Sequence, residues 1–411
     1  MSVAPAKDLN LTPLYISMLF MGMGHSIVFA VMPMLGRELH LDELVVNIPA
    51  LGWSWQPREM AITILSALSA LTFFFASPWW GQRSDRVGRK RTMLQGMSGY
   101  FAGALLFCLL AWAGLSGMVA GFTLFGLMIA MRTAHVFIMA AVQPAATAYV
   151  VDTTTPGTRI KQMSRITAAN QLGAMLGPAL AWFTAISFLA PLILQASLVG
   201  FGALLLWRKL PDINPPREEL AKHLALKFTD HRFRNFLLLN LLIFTLLGMV
   251  QQTMGFYFQD LLEIGRVEAA QRYSIAMICS ALASLTIQLA IVQHLKSSPI
   301  KLIKAGLPLC LMGFVVLAMA EEATMLYVGM AIVGFGTGMA GPGVGVSATF
   351  QVESHEQGGL AGLLASFAGL GFVVGPLLGG FLYRFDMSYP TLFAAILMIP
   401  VIISSWRLRL D

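Results

Sequence analysis

Two long windows without a charged residue, 92–131 and 166–207, constrain the fold of this chain more than any other feature of its sequence. Each window is about twice the length of one membrane-spanning helix, which needs roughly 20 apolar residues. Breaks at AGLSG (113–117) and SFLAP (187–191) divide each window into two spans. Because 57% of the whole chain is hydrophobic and only 11% is charged, the sequence predicts an all-α integral membrane protein.

The apolar runs predict twelve transmembrane helices. The fourth and tenth runs are long enough to extend beyond the bilayer into the cytoplasm. The predicted spans are 12–35, 59–80, 92–112, 117–150, 162–186, 189–207, 235–258, 272–293, 302–320, 324–350, 358–383 and 388–406. An even number of spans places both termini on the same side of the membrane.

The distribution of positive charge orients these spans, because lysine and arginine concentrate in cytoplasmic loops. Most of the 27 lysines and arginines fall in segments that face inward if the N-terminus is inside. A multi-pass protein of the inner or plasma membrane with both termini cytoplasmic is therefore predicted. The net charge of +7 is then a topology signal and indicates no nucleic-acid partner. The polar N-terminus does not have the pattern of a cleavable signal peptide.

The two halves of the sequence form an internal repeat. Residues 208–234 form the longest polar stretch, and they separate a predicted N-terminal bundle of six helices (1–207) from a C-terminal one (235–411). VQPAATA followed by GAMLGPAL in the first half matches AGPGVGV followed by GFVVGPLLGG in the second, with the same spacing between their prolines. Duplicated six-span halves are typical of transporters that bind substrate between the halves near the bilayer midplane.

A densely charged segment, GQRSDRVGRKR at 81–91, lies between spans two and three. It resembles the signature loop of the major facilitator superfamily, G-x-L-x-D-R-x-G-R-K/R-x. Arg83 stands where that motif has an apolar residue. The matching positions are Gly81, Asp85, Arg86, Gly88, Arg89 and Lys90. The resemblance implies the major facilitator fold, with twelve transmembrane helices in two pseudo-symmetric six-helix bundles.

Two glycine-rich stretches resemble the G-x-x-x-G-P-x-x-G-G motif of the proton-coupled antiporters in that superfamily. The stretch in span five departs from the motif at its end, where Ala181 replaces a glycine. The matching residues are Gly173, Gly177 and Pro178 in span five and Gly371, Gly375, Pro376 and Gly379 in span eleven. In the family this seam joins the two halves; small residues that let membrane helices pack closely are the general alternative. MIAMRTAH in span four resembles a third antiporter motif, centred on an intramembrane arginine.

The charged segment at 81–91 has residues suited to a conformational latch. Gly81 and Gly88 allow tight turns, and Asp85 suits the N-terminus of the helix that follows. Arg86 and Arg89, which the family resemblance assigns to a latch of the outward-open state, are expected to pair with Asp152 on the same side of the membrane. The alternative is a loop that only fixes topology, which would need the cations but neither the glycines nor Asp85.

Ionisable residues inside the bilayer are candidates for function because they are costly to bury. Arg132 lies in the middle of span four, His135 one turn further along, and His25 in the middle of span one between two glycines. Family architecture places spans one, four, seven and ten around the central cavity, so these three side chains are expected to face it. The alternative for each histidine is a hydrogen bond to a backbone carbonyl.

No Asp or Glu lies deep in any predicted span, so a coupled proton is expected to use His25, His135 or the peripheral Asp152. Other polar residues in the spans could bind substrate or tie helices together. They are Gln143, Asn170, Gln171, Asn240, Gln251, Gln252 and Tyr257. Arginine and two histidines without a span acid favour an anionic or zwitterionic substrate.

We expect a secondary transporter that works by alternating access and exports a small organic molecule, such as an anionic metabolite, a siderophore or a drug, against proton entry. No G-x-x-x-x-G-K-[ST] motif is present, so the proton gradient is the expected energy source, with no cofactor and no metal. The expected partners are the substrate, protons and the lipid bilayer, and the protein is expected to be a monomer without enzymatic activity. A proton-symporting importer of an organic anion or siderophore is one alternative, and a non-transporting polytopic receptor is another.

Overall fold

The structure is a computed structural model of the chain, and it describes residues 10–48, 53–154, 156–212, 228–292, 299–353 and 356–406. Within these ranges the chain is almost entirely α-helical, as predicted. In chain order the helices are α1 (Thr12–Glu38), α2 (Glu59–Val87), α3 (Arg89–Leu115), α4 (Gly121–Met139), α5 (Val142–Thr153), α6 (Pro156–Leu176), α7 (Ala190–Lys209), α8 (Arg234–Leu262), α9 (Arg266–Ile287), α10 (Pro299–Ala318), α11 (Ala323–Thr349), α12 (Gln357–Tyr383) and α13 (Tyr389–Ser405).

The helices account for all twelve predicted spans. Ten helical segments in the described part of the chain are long and apolar enough to cross a membrane, and α4 and α5 together form one of them, Gly121–Thr153. The predicted twelfth span is the shorter apolar helix α13. The fifth begins earlier than predicted, at Pro156, and continues beyond α6 as a 3₁₀ helix over Gly177–Ala185. Pro178 at the start of that segment lacks an N–H for a regular α-helical bond, which favours the change of winding.

The break between α4 and α5 has a local cause. The indole N–H of Trp80 donates a 2.7 Å hydrogen bond to the carbonyl of Phe137, near the end of α4. The N–H of Ala141 bonds instead to the carbonyl of Ile138, three residues back, at 3.2 Å. A side chain that inserts into the helical hydrogen-bond ladder is a known cause of a local kink. Trp80 therefore couples the end of α2 to the turn between α4 and α5.

The chain divides into two compact units that do not coincide with its sequence halves. The first unit consists of Met1–Val31 and Leu71–Glu219, and the second of Met32–Ala70 and Leu220–Asp411. The final turns of α1 and the first part of α2 thus belong to the second unit. In the first unit, α3 packs against α7, α4 and α5; in the second, α8 packs on α12 and α11 on α9 and α10. The predicted domain boundaries at 208–234 stay a prediction, and 213–227 lie outside the described residues.

Two glycine seams hold equivalent helix pairs together in the two units. In the first unit, a Cβ added at Gly173 would lie 1.9 Å from the carbonyl oxygen of Leu19 in α1. In the second unit, a Cβ at Gly375 would lie 2.4 Å from the carbonyl oxygen of Thr245 in α8. Backbones that approach this closely tolerate only glycine. The seam α6–α1 and the seam α12–α8 use the same motif in both halves, which agrees with the internal repeat.

The segment between α1 and α2 forms a small β-hairpin that the sequence analysis did not predict. Strands β1 (Val46–Ile48) and β2 (Trp53–Trp55) pair antiparallel, with Val46 opposite Trp55. The guanidinium of Arg384, which follows α12, lies 5.8 Å above the ring of Trp55. This contact joins the hairpin to the end of α12 within the second unit.

Candidate substrate-binding site

Arg132 and His135 form the centre of a polar cluster in the first unit. Both lie in α4, one turn apart, and Nη1 of Arg132 is 3.5 Å from Nδ1 of His135. This spacing places the two side chains on one face of the helix, as the sequence predicts. His135 is buried, with 3% of its surface exposed. A permanent cation is therefore held next to a titratable ring in an otherwise apolar helix.

Tyr100 in α3 supports the ring of His135. The two rings meet edge to face, with their centroids 4.7 Å apart. On the same helix, Gly103 leaves room for the imidazole, since a Cβ there would lie 3.2 Å from the His135 ring. An edge-to-face contact and a close backbone fix the orientation of a side chain better than burial alone. The ring of His135 is thus held in place by α3.

His25 reaches the same cluster from α1. The charge of Arg132 acts electrostatically on both His25 and His135, which places the three groups near one another. The imidazole of His25 also meets the ring of Phe73 edge to face, 6.1 Å between centroids. Beside it, Gly24 makes room for Tyr100, whose hydroxyl oxygen would lie 2.4 Å from a Cβ at that glycine. The structure therefore brings together the three intramembrane groups that the sequence singles out.

Two buried polar atoms near Arg132 have no hydrogen-bond partner among the described residues. They are Nε2 of His135 and Oε1 of Gln195 in α7, whose Nε2 donates a 2.6 Å bond to the carbonyl of Phe20. Buried polar atoms are almost always paired, with protein, water or ligand. Together with Tyr100 and His25, these groups define the Arg132 cluster: Arg132, His135, His25, Tyr100 and Gln195. It offers a fixed cation, titratable nitrogens and an amide to a polar molecule that enters.

The other predicted polar residues fall into two classes. Three of them tie helices together through backbone carbonyls: Asn170 to Met18 at 3.3 Å, Asn240 to Leu364 at 2.8 Å and Tyr257 to Leu317 at 3.1 Å. The remaining four are Gln143 and Gln251, both half-buried, Gln171, which is exposed, and the fully buried Gln252. Gln252, in the second unit, has neither amide atom hydrogen-bonded within the described part of the chain.

The loop at 81–91 forms an ion-pair cluster around Arg89. Nε of Arg89 lies 2.9 Å from Oδ2 of Asp152, at the end of α5, and its Nη1 pairs with the carboxylate of Asp85 and bonds Ser84. Lys90 donates a 3.0 Å bond to the carbonyl of Trp207. These contacts join α2, α3, α5 and α7 at one end of the first unit. The predicted pairing with Asp152 is thus made by Arg89, while Arg86 is exposed.

Asp85 lies ahead of the third span, as predicted, but it does not cap the N-terminus of that helix. Asp85 lies in the last turns of α2, and α3 begins at Arg89 after Gly88, with no side-chain cap. Gly88 has a φ of 104°, which favours glycine, and this residue makes the sharp turn between the helices. The carboxylate of Asp85 instead reaches across this turn to Arg89. A Cβ added at Gly81 would lie 3.6 Å from Cβ of Pro144 in α5, which is an ordinary van der Waals contact.

Arg83, the residue that departs from the family motif, has its own partners. Its guanidinium lies over the rings of Trp79 and Trp80, at 5.3 Å and 5.6 Å from their centroids. A cation above an aromatic face is attracted by the ring quadrupole. Two adjacent tryptophans therefore accommodate a charge where an apolar residue is usual.

The family model described as Major Facilitator Superfamily matches residues 14–358 and 297–411, which together span nearly the whole chain. The chain belongs to the Major Facilitator Superfamily. Its twelve-span architecture agrees with this family of membrane transporters. Among the described residues of this transporter, no group of three or more His, Cys, Asp or Glu side chains is arranged to hold a metal ion.

Individual relatives are distant but cover the chain almost completely. Multidrug resistance protein 1 of Bacillus subtilis (strain 168) is 24% identical over 408 residues, 95% of this chain and 94% of that protein. Tetracycline resistance protein, class B, of Escherichia coli is 24% identical, with 89% and 86% of the two chains covered. The crystal structure of the human organic anion transporter MFSD10 (TETRAN) matches with a TM-score of 0.66 at 19% identity, covering 96% of this chain and 98% of that one. The structural likeness confirms the fold.

One cluster of charged residues in this transporter was missed by the sequence analysis. Arg37, at the end of α1, follows the predicted first span (12–35) and was not among the candidate residues. In the structure only 7% of its surface is exposed, and it is surrounded by carboxylates from three other segments. The signal available in the sequence was the number of acids near Arg37 on the predicted outer side: Glu38, Asp42, Glu43 and Glu59.

Proposed function

We propose that this transporter exports a small organic anion across the inner membrane in exchange for protons, with both of its termini in the cytoplasm. The observation that carries the proposal is the Arg132 cluster, in which a permanent cation lies beside two histidines. Arginine remains protonated in proteins, whereas a histidine ring exists in a neutral and a protonated form. The cluster therefore provides one group for a negative charge and two groups for a proton.

The chemistry of the cluster favours an anionic substrate. A guanidinium presents several N–H donors in a fork that matches a carboxylate or phosphate, and an ion pair in a low-dielectric site is much stronger than in water. Positive charges on protonated His25, protonated His135 and Arg132 would repel one another because they lie close together. Binding of an anion and binding of protons are thus linked through the local charge.

The relatives and the glycine seams support export. Proteins named for resistance to several drugs and to tetracycline align with nearly the whole chain. The seam residues in α6 and α12 match a motif associated with antiporters of the family. A membrane transporter can confer resistance by moving a compound out of the cell, so outward transport against proton entry is the direction that we propose.

The experiment that tests this proposal is transport in proteoliposomes that enclose a pH-sensitive dye. Organic anions, zwitterions and cations are added under an imposed proton gradient, and Arg132→Gln and Arg132→Lys are compared with the wild type. We expect an anion to move in exchange for protons in the wild type. This exchange should be lost in Arg132→Gln. Arg91→Gln is a matched control, because Arg91 is an exposed cation on α3 that lies 3.7 Å from an exposed Asp212.

Three results would contradict the proposal in different ways. Protons that move together with the substrate would make the protein an importer. Transport of cations alone, with the Arg132→Gln variant still active, would remove the anion from the proposal. Anion exchange that produces no dye response, in the wild type and the control alike, would show that protons are not the coupled ion.

A further inference from the structure

The charged group at the end of α1 forms a closed network within the second unit, here named the Arg37 cluster: Arg37, Asp42, Glu59, Asp260 and Tyr383. Nη2 of Arg37 donates to Oδ2 of Asp260 at 2.7 Å and to Oε1 of Glu59 at 2.9 Å. The hydroxyl of Tyr383 donates to the same Asp260 oxygen at 2.6 Å. The four segments α1, α2, α8 and α12 are joined by these bonds.

Arg37 is enclosed as well as paired. Its guanidinium lies 4.8 Å from the centroid of the Phe256 ring, and its Nη1 also donates to Gln259 at 2.8 Å. Only 9% of its side chain is exposed, against 12% for Glu59 and 33% for Asp260. Four of its five N–H groups therefore point to acceptors on α8 and α2. The ion pairs of this cluster are shielded from water, which strengthens them.

One acid of the cluster is left over. Asp42, in the 3₁₀ turn Leu41–Glu43, lies 4.0 Å from Nε of Arg37, too far for a hydrogen bond. Nε of Arg37 and Oδ1 of Asp42 are both buried, and neither has a hydrogen-bond partner among the described residues. Three carboxylates share one guanidinium, so the cluster carries excess negative charge when all three are ionised. Burial of excess charge is costly unless a carboxylate takes up a proton.

We propose that Asp42 is a proton-binding site on the predicted outer side of the membrane and that its protonation stabilises the closed Arg37 cluster. A proton from external hydronium would pass to Oδ1 of Asp42 as the ends of α1 and α2 close on α8, and would return to water when they part. This inference rests on the proposed function in one respect, since alternating access requires that the outer ends open and close.

The electrostatic surroundings give the sign of the pH dependence. Burial raises the pKa of Asp42, a backbone hydrogen bond and the charge of Arg37 oppose this rise, and the carboxylates of Glu59 and Glu43 add to it. Asp260 and Tyr383 face Arg37 from α8 and α12, and His40 pairs with Glu43 at 2.9 Å on the exposed side. A carboxyl whose pKa is higher in the closed state favours that state at low pH. The stabilisation is lost as the pH rises through the raised pKa, at most about tenfold in the closed-to-open ratio per pH unit.

The test measures a distance across the cluster in the full-length protein in detergent, without substrate or gradient. Spin labels are placed at Val45→Cys and Phe385→Cys, both exposed positions of the second unit, after Cys108, Cys279 and Cys310 are replaced by alanine. We expect short distances at low pH and a growing population of long distances as the pH rises. Asp42→Asn should remove this response, whereas Glu43→Gln, a matched change of the neighbouring exposed acid, should keep it with a midpoint at slightly lower pH, because Glu43 contributes less than Glu59 to the raised pKa of Asp42.

A second variant keeps the proposal testable if Asp42→Asn does not fold. Glu59→Gln removes a carboxylate that raises the pKa of Asp42, so the midpoint of the distance change should move to lower pH. A wild-type distance that does not depend on pH would overturn the proposal, and so would a response that persists in Asp42→Asn. Failure of anion–proton exchange in proteoliposomes, with the distance response intact, would contradict the proposed function alone.

Discussion

The two arginines Arg37 and Arg132 both lie in apolar helices, but the groups around them differ in charge. Around Arg37 the structure gathers three carboxylates and a tyrosine. Around Arg132 it places two histidines and a tyrosine, groups that can be neutral. A buried cation is stabilised when it has carboxylate partners in good geometry. We therefore expect Arg37 to stabilise the fold and, under the proposed function, Arg132 to bind the substrate.

The largest effect should follow from removing Arg37. Arg37→Gln leaves the half-buried carboxylates of Glu59 and Asp260 without their cation, which costs about 3 kcal/mol, the lower end of the usual range because neither is fully buried. The apparent melting temperature in detergent, followed by tryptophan fluorescence, should fall clearly. Arg58→Gln is the control, since among the described residues the side chain of that exposed arginine donates a hydrogen bond to the carbonyl of Arg384. Equal losses for both variants would contradict a special role for Arg37.

Removing Arg132 should have the opposite profile. Arg132→Gln should leave the melting temperature nearly unchanged and lower the transport of an anion about tenfold or more, the loss expected for a charge-assisted hydrogen bond of roughly 1.5–3 kcal/mol. Arg132→Lys should retain part of the activity with a raised KM, because lysine keeps the charge without the fork. If Arg132→Gln lowers the melting temperature as much as Arg37→Gln does, the contrast between the two arginines fails.

The loop at 81–91 provides an intermediate case. Arg89→Gln breaks the pairs with Asp85 and Asp152, which are partly exposed, and should cost about 1 kcal/mol. Arg86→Gln, an exposed residue of the same motif, should cost less. Thermal unfolding at low and high salt separates the two, because only the Arg89 pair is shielded enough to resist screening. A larger effect from Arg86 would mean that its functional partner belongs to another conformation.

The smallest effect is expected at Arg83. Arg83→Leu restores the apolar residue of the family motif and removes two cation–aromatic contacts on an exposed surface, a loss of about 0.5–1 kcal/mol. Because leucine is itself favourable against Trp79 and Trp80, the net change in melting temperature should be close to zero. A marked loss of stability would show that the charge of Arg83 has a role beyond these rings.

The sequence was sufficient for the helices and for Arg132, His135 and His25, but it did not single out Tyr100 and Gln195 of the Arg132 cluster. Hydrophobic runs determine where membrane helices form, and one-turn spacing places Arg132 and His135 on a common face. The kink at Ala141 was not predictable, because it depends on a hydrogen bond from Trp80, far away in sequence. The β-hairpin was missed as well, since its two strands are only three residues each.

The Arg37 cluster shows why the rest of the site escaped prediction. Counting cations by loop assigns Arg37 to topology and gives no hint of which helix end it meets. Its main partner, Asp260, lies 223 positions away, and the pairing exists only because α8 packs beside the end of α1 in the second unit. Charge patterns that are read along the chain reveal local neighbours, whereas tertiary packing selects distant ones.

The glycine seams also bear on how the gene can vary. Any single-nucleotide change that replaces a glycine adds at least a Cβ, and at Gly173 and Gly375 that atom would collide with a backbone oxygen. At Gly341 and Gly345, by contrast, no neighbouring atom in the described part of the chain lies within 4 Å of the added Cβ. In a library of variants selected for growth, the seam codons should therefore be depleted of every substitution while the open glycines diversify. New substrate ranges would then have to evolve on helix faces that the seams leave free.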